Sequence, residues 1–243
     1  MFAAPRPVPG AALPLAANGA LARMLYHLNF GLIFKNLPKL YWGLLLSLEL
    51  AIVAIAIGVV IGLALALIYE AHGRMVRSLI SIYVEFIRNV PLILLVYLVF
   101  YGIPTIVDLR YNATTSFIAT LSVYSGAYLV EIFRTGLAAV PRGLIDAAKA
   151  IGLTPLQRLI HVRLPTMFRI VLPSLSNTFV SLFKDTSVAS VLAVPELTYG
   201  AQWINFNTFR IIEVYTVVTP MYLVTGYVML GGLRQLEKRF KVA

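Results

Sequence analysis

Apolar residues fall in long runs along this chain, separated by short polar connections. A helix needs about 20 mainly apolar residues to cross the roughly 30 Å hydrocarbon layer of a bilayer. Five segments have that length, near 41–68, 82–103, 115–136, 166–193 and 211–233. The first (Tyr41 to Ile68), the second through its stretch Leu92 to Tyr101, and the fifth (Val214 to Leu233) are apolar almost without interruption. The third carries Glu131 and Arg134 near its end, and the fourth is the most polar, with Ser176, Asn177, Thr178, Ser181, Lys184 and Asp185. The pattern predicts an all-α membrane protein of about five transmembrane helices.

The segments between the spans divide into three kinds. Residues 1–20 are rich in alanine and proline, and Pro5, Pro7, Pro9 and Pro14 break any apolar core of the kind a secretory signal needs. They are read as a loose tail. Residues 21–37 place Leu21, Met24, Leu25, Leu28, Ile33, Phe34 and Leu37 at helical spacing, which predicts a helix lying along the membrane interface. Pro141 to Pro165 is the longest polar connection. Pro141 can open a helix whose Leu144, Ile145, Ala148 and Ile151 share a face, and Gly152 sits where a C-cap glycine would. Thr154-Pro155-Leu156-Gln157 then has the residues of a capping box with proline at the first helical position. The loop is thus predicted to be two short helices meeting at a glycine turn. No internal repeat and no long linker divides the remainder, so 38–243 reads as one transmembrane domain after an N-terminal segment, 1–37.

Composition sharpens the class. Of 243 residues 60% are hydrophobic, with a mean hydropathy of +0.86, and only 12% are charged. One soluble core of this size would not hide that much apolar side chain. There is no cysteine, and His27, His72 and His161 lie far apart, so no metal centre or thiol chemistry is expected. The net charge of +10 would suggest nucleic acid in a soluble protein. In a membrane protein it follows instead from lysine and arginine gathering in cytoplasmic connections, and no nucleic-acid partner is inferred. With the N-terminus outside, thirteen basic residues fall on the inner side, among them Arg74, Arg77, Arg88, Arg142, Lys149, Arg158, Arg163 and Arg169. Six fall outside: Arg6, Arg23, Lys35, Lys39, Arg110 and Arg210. This asymmetry predicts an outer N-terminus and a cytoplasmic C-terminus. No Gly-x-x-x-x-Gly-Lys-Ser/Thr is present, so the chain carries no phosphate-cradling loop of that kind.

One motif goes further than class. Asp146-Ala147-Ala148, three residues, Gly152, nine residues, Val162, Arg163, Leu164-Pro165 resembles the EAA loop of binding-protein-dependent ABC importer permeases. The spacing agrees throughout. Asp146 replaces the family's glutamate and Val162 its isoleucine. Phe86-Ile87-Arg88-Asn89-Val90-Pro91-Leu92, Ala127 to Arg134, Lys184-Asp185-Thr186-Ser187 and Pro195-Glu196-Leu197 also resemble the polar amino acid uptake branch of that family. The likeness spans about 40–240. It implies a type I ABC importer permease fold in the bacterial inner membrane. It also implies a cytoplasmic ABC ATPase dimer that binds the ATP, a second copy of this permease or a related one, and an extracytoplasmic solute-binding protein delivering a polar amino acid. The chain itself would then be no enzyme and hold no cofactor. Gly143, Asp146, Ala147, Ala148, Gly152, Leu164 and Pro165 would form the ATPase-coupling loop; a hairpin with only a structural role is the alternative.

The charges in the spans have two readings each. Glu85 and Arg88, and Glu131 and Arg134, are spaced i,i+3 near the same depth. They either neutralise each other or form a gate that breaks when the spans separate. Ser176, Asn177, Ser181 and Lys184 form a polar stripe on the fourth span, with Asp185 turned about 100° from Lys184. The stripe either packs between helices or lines a solute path, and Asp185 is a further path or gate candidate. Glu49 in the first span is a further pathway candidate or an interfacial residue. An ion-coupled carrier or channel is the main rival function, though neither an inverted repeat nor a filter-like motif supports it. An intramembrane enzyme lacks any catalytic set.

Overall fold

The computed structural model describes residues 27–107 and 111–240, and these are helical without a strand. The loose tail and residues 21–26 lie outside the described residues. A short α1, Gly31–Lys35, leads into α2, Leu37–Ala71, which has Pro38 in its first turn. Then come α3 (Arg74–Asn89), α4 (Leu92–Tyr97), α5 (Ile103–Val107) and α6 (Ala113–Ala138). The Pro141–Pro165 loop carries α7 (Arg142–Ala150) and α8 (Pro155–Arg158). After it follow α9 (Leu164–Asp185), a 3₁₀ stretch Thr186–Leu192, α10 (Leu197–Thr208) and α11 (Ile211–Phe240).

The centre of the bundle is the pair α2 and α6. Small residues let these helices approach closely. A Cβ on Gly58 would lie 2.0 Å from Ser125 Oγ, so only glycine fits there. The Ser125 hydroxyl donates to the Ala54 carbonyl at 3.2 Å, which satisfies a polar group inside the contact. Leu50, Ala51 and Ala54 of α2 meet Phe117 and Leu121 of α6 and Phe183 of α9 in one buried cluster. A second cluster joins Ala66, Leu129, Phe133, Met167 and Val171 at the end of the bundle that carries the loop. Large apolar side chains also face outward, Ile52, Val60, Leu223 and Val228 among them, as lipid contact requires and water contact penalises.

Among the described residues three helices, α2, α6 and α11, are long and apolar enough to cross a membrane. The second predicted span, 82–103, is not one straight helix: α3 and the segment Leu92–Val107 meet at 106°. Pro91 is the cause. It has no N–H to continue the ladder and keeps the preceding residue out of the helical region, and Val90 is extended at φ −97°, ψ 131°. Counting that bent pair as one crossing gives four. The fourth predicted span is helical over Leu164–Asp185 but falls short in apolarity. It packs against α2, α6 and α11, so its polar positions have protein beside them. Two further deviations share one reason. The π-helical turns Leu98–Gly102 and Leu159–Arg163 each run just ahead of a proline, Pro104 and Pro165. A wider turn absorbs the hydrogen bond that proline cannot donate.

Candidate coupling loop and solute path

The loop has the turn chemistry its residues call for. Gly152 has φ +80°. The Leu153 N–H donates to the Ala148 carbonyl at 3.1 Å, and the Gly152 N–H to the Lys149 carbonyl at 2.9 Å. These two bonds are the Schellman pattern that ends a helix on a left-handed residue. Thr154 then opens α8: its side chain accepts from the Gln157 N–H while the Gln157 side chain accepts from the Thr154 N–H. The two caps fix the angle between α7 and α8.

On α7, Gly143, Asp146 and Ala147 are exposed, while Ala148 is 4% exposed and turned into the fold. Ile145 packs beside the second core cluster, whereas Leu144 and Ile151, placed on the same face by spacing, lie open. Asp146 pairs with Lys149 of its own helix at 2.9 Å. Leu156 and Ile160 add further exposed apolar area, so the loop presents an apolar surface framed by charge. Leu164 is half-buried beside the second core cluster, and Pro165 is exposed in the first turn of α9.

Among the cavities that border α6, two gather the predicted polar residues. The first, about 450 Å³, is lined by Glu85, Arg88, Asn89, Tyr128, Glu131 and Arg134. Within it the predicted pairs differ. Arg134 donates to Glu131 at 2.7 Å and lies over the Tyr69 ring. Arg88 instead stacks over the Tyr128 ring, 5.3 Å from its centre, and no ion pair joins it to Glu85. A cation over an aromatic face competes with an exposed ion pair of similar small strength. The second cavity, about 370 Å³, is lined by Tyr124, Tyr128, Asn177, Thr178, Ser181 and Asp185. Asn177, Ser181 and Asp185 are spaced i, i+4, i+8, one face of α9.

The polar stripe therefore differs in membership from the one expected. Lys184 is exposed and outside this lining. Ser176 points the other way and donates to Glu237 of α11 at 2.7 Å. Of the two path candidates Lys184 and Asp185, Asp185 meets the cavity, because a helix advances about 100° per residue and the cavity sits on the 177–181–185 line. Glu49 is exposed and lines neither cavity. Tyr124 and Tyr128, absent from the expected set, have hydroxyls 3.1 Å apart, and Tyr128 belongs to both cavities. Their i,i+4 spacing on the third span was the signal available.

A further buried carboxylate holds the frame. Glu196, fully buried, caps α10 by accepting from the Thr198 and Tyr199 N–H groups at 2.9 and 2.7 Å. It also accepts from Ser47 of α2 at 3.1 Å and Tyr222 of α11 at 3.0 Å. Burial pushes its carboxyl above the usual range, against four hydrogen bonds that pull it down. The motif Pro195-Glu196-Leu197 contains this residue, but its reach to α2 and α11 depends on the fold.

Comparison with known proteins places the chain. Residues 54–242 match the family described as Binding-protein-dependent transport system inner membrane component. The chain is 32% identical over 214 residues to the probable glutamine ABC transporter permease protein GlnM of Bacillus subtilis, covering 88% of this chain and 99% of that protein. It is 31% identical over 215 residues to the glutamine transport system permease protein GlnP of Escherichia coli K12, covering 88% and 98%. Its fold is similar to that in a crystal structure of an amino acid ABC transporter with histidines, with TM-score 0.81, 30% identity and coverage of 88% and 100%. The MetNI methionine ABC transporter, at 20% identity and TM-score 0.71 over 84% and 97% of the two chains, shares the fold. With its apolar helices and its EAA-type loop, the chain belongs to the binding-protein-dependent transport system inner membrane components, the membrane-spanning permeases of ABC importers.

Proposed function

We propose that this chain passes a polar amino acid across the membrane through the cavity of Tyr124, Tyr128, Asn177, Thr178, Ser181 and Asp185. One observation carries the reading: a cavity of about 370 Å³ that brings Asn177, Thr178, Ser181 and Asp185 together is built on one face of α9, opposite tyrosines of α6. Its chemistry suits an amino acid. The Asp185 carboxylate attracts an ammonium group, and the amide and hydroxyl groups bond a carboxylate or a polar side chain. Small-molecule sites commonly have about 300–1,000 Å³. The glutamine and cystine permeases among its relatives support the class, and the particular amino acid is assigned by assay.

In this reading residues 1–37 lie outside, 38–243 form the permease domain, and 137–165 form the cytoplasmic coupling loop. Two permeases, this chain paired with itself or with a related one, enclose the path. A cytoplasmic ATPase dimer binds and hydrolyses ATP, and an extracytoplasmic solute-binding protein delivers the substrate. Gly143, Asp146 and Ala147 on the open face of α7 meet the ATPase, while Glu85, Arg88, Glu131 and Arg134 form the polar vestibule next to the path. ATP binding closes the ATPase pair, and the loop passes that motion to the spans. The test is uptake of labelled polar amino acids into proteoliposomes holding the permease, its ATPase and its binding protein. Uptake that needs all three and ATP supports the proposal. Uptake by the permease alone without ATP supports a carrier or channel and refutes it.

A further inference from the structure

Arginines from three elements converge on the last turn of α2. Arg77 of α3 donates from Nε to the Tyr69 carbonyl at 3.0 Å and from Nη2 to the Glu70 carbonyl at 3.3 Å. Arg134 of α6 lies over the Tyr69 ring, 5.1 Å from its centre. Arg163, from the π-helical turn that joins the coupling loop to α9, places Nη2 at 2.9 and 2.6 Å from the two carboxylate oxygens of Glu70. The side chains of this pair are only 25% and 26% exposed, and 93 residues separate the partners. Arg163 fills the one position that the loop's Ile-x-Leu-Pro pattern leaves unspecified, so the motif assigns it nothing.

We propose that the Arg163–Glu70 pair is the strut that carries movement of the coupling loop into α2, making both side chains positioning residues for transport. The proposal rests on the importer reading above. Among the described residues this is the ion pair that joins the loop to α2. The other link is apolar: Ile145 and Leu164 pack by a cluster that contains Ala66. Apolar packing is non-directional and lets surfaces slide, whereas a charged hydrogen bond fixes register. Arg77 and Arg134 hold the same turn of α2 to α3 and α6, so a pull on Glu70 reaches three helices together. The Nε of Arg163 is buried with no partner. Both contacts to Glu70 come from one nitrogen, and the guanidinium fork has an unused arm. A small rotation of the loop that brings Nε onto the carboxylate would strengthen the pair, giving the joint a second arrangement.

The test uses the complete transporter, with its ATPase and binding protein, in proteoliposomes supplied with a labelled mixture of polar amino acids. Glu70→Gln, Arg163→Gln and the double variant are compared for membrane level, ATPase copurification and uptake per ATP hydrolysed. Each single variant is expected to keep the first two and lose about fivefold or more in uptake per ATP, the lower end of typical coupling between sites. The double variant should lose no more than the worse single, since both remove one shared interaction. An unchanged ratio in the single variants overturns the strut, as do losses that multiply in the double. Loss of both singles from the membrane assigns the pair to folding and overturns it too. If the unaltered transporter shows no ATP-dependent uptake, the importer reading fails first and takes the strut with it.

Discussion

At Gly152 the backbone alone constrains the residue, since a Cβ there would meet nothing within 4 Å and φ is +80°. Left-handed geometry costs an ordinary L-residue roughly 1–2 kcal/mol, and a β-branched one more, while asparagine tolerates it. Gly152→Val should therefore insert normally, because the spans do not depend on this turn, yet lose ATPase copurification or uptake per ATP. Gly152→Asn should keep most of both. Wild-type values for the valine variant on all three measures would make the loop a passive connection. Glu196 is the opposite case, a residue whose importance is all tertiary. Glu196→Ala removes one partner of the Ser47 and Tyr222 hydroxyls, which still reach the Gly43 carbonyl and the Thr198 hydroxyl, and leaves the Thr198 and Tyr199 N–H groups without their acceptor. Each such buried group costs about 1–3 kcal/mol. The midpoint of thermal inactivation in detergent should fall clearly, and Glu196→Gln should fall less because one carbonyl oxygen still accepts. Gly152 was readable in advance, since its demand is local. Glu196 was not, since the meaning of a buried carboxylate depends on Ser47 and Tyr222, 149 positions before it and 26 after it.

Among the elements, α9 carries the test of the proposed solute path. Ser181→Leu puts an apolar bulk on the cavity face, and Asp185→Asn removes its one carboxylate while nearly keeping its shape. Both should reduce uptake far more than the amount of assembled complex, and Asp185→Asn should raise the substrate concentration needed for half-maximal uptake. Normal uptake in both variants would remove the cavity from the path. Lys184→Gln, outside the lining, is expected to leave uptake close to normal. The helical period announced a polar face on this segment. Which line of that face became the cavity wall was set by the way α9 rests against α6 and α11, with Ser176 drawn to Glu237. The α3–α4 corner teaches a related lesson: Val90-Pro91 was visible in the sequence, but an apolar run continuing through it reads as one span, and the 106° bend becomes evident only in three dimensions.

For the whole molecule the charge asymmetry makes the prediction. A reporter fused after Leu233 should be active only in the cytoplasm, and one fused before Tyr41 only outside. The reverse result would invert the map and place the coupling loop away from ATP. Hydrophobic run length, turn residues and the EAA spacing are properties of neighbouring residues, so the sequence by itself determined the membrane class, the two-helix loop with its Schellman turn and capping box, and the permease family. Contacts between distant segments obey no local period. The tertiary structure alone decided that Arg88 stacks on Tyr128 in preference to pairing with Glu85, that Asp185 and not Lys184 meets the cavity, and that Glu70 waits at the end of α2 for Arg163. Helix packing brings such groups together, and the competing partners a charge chooses among are known only when the helices are in place.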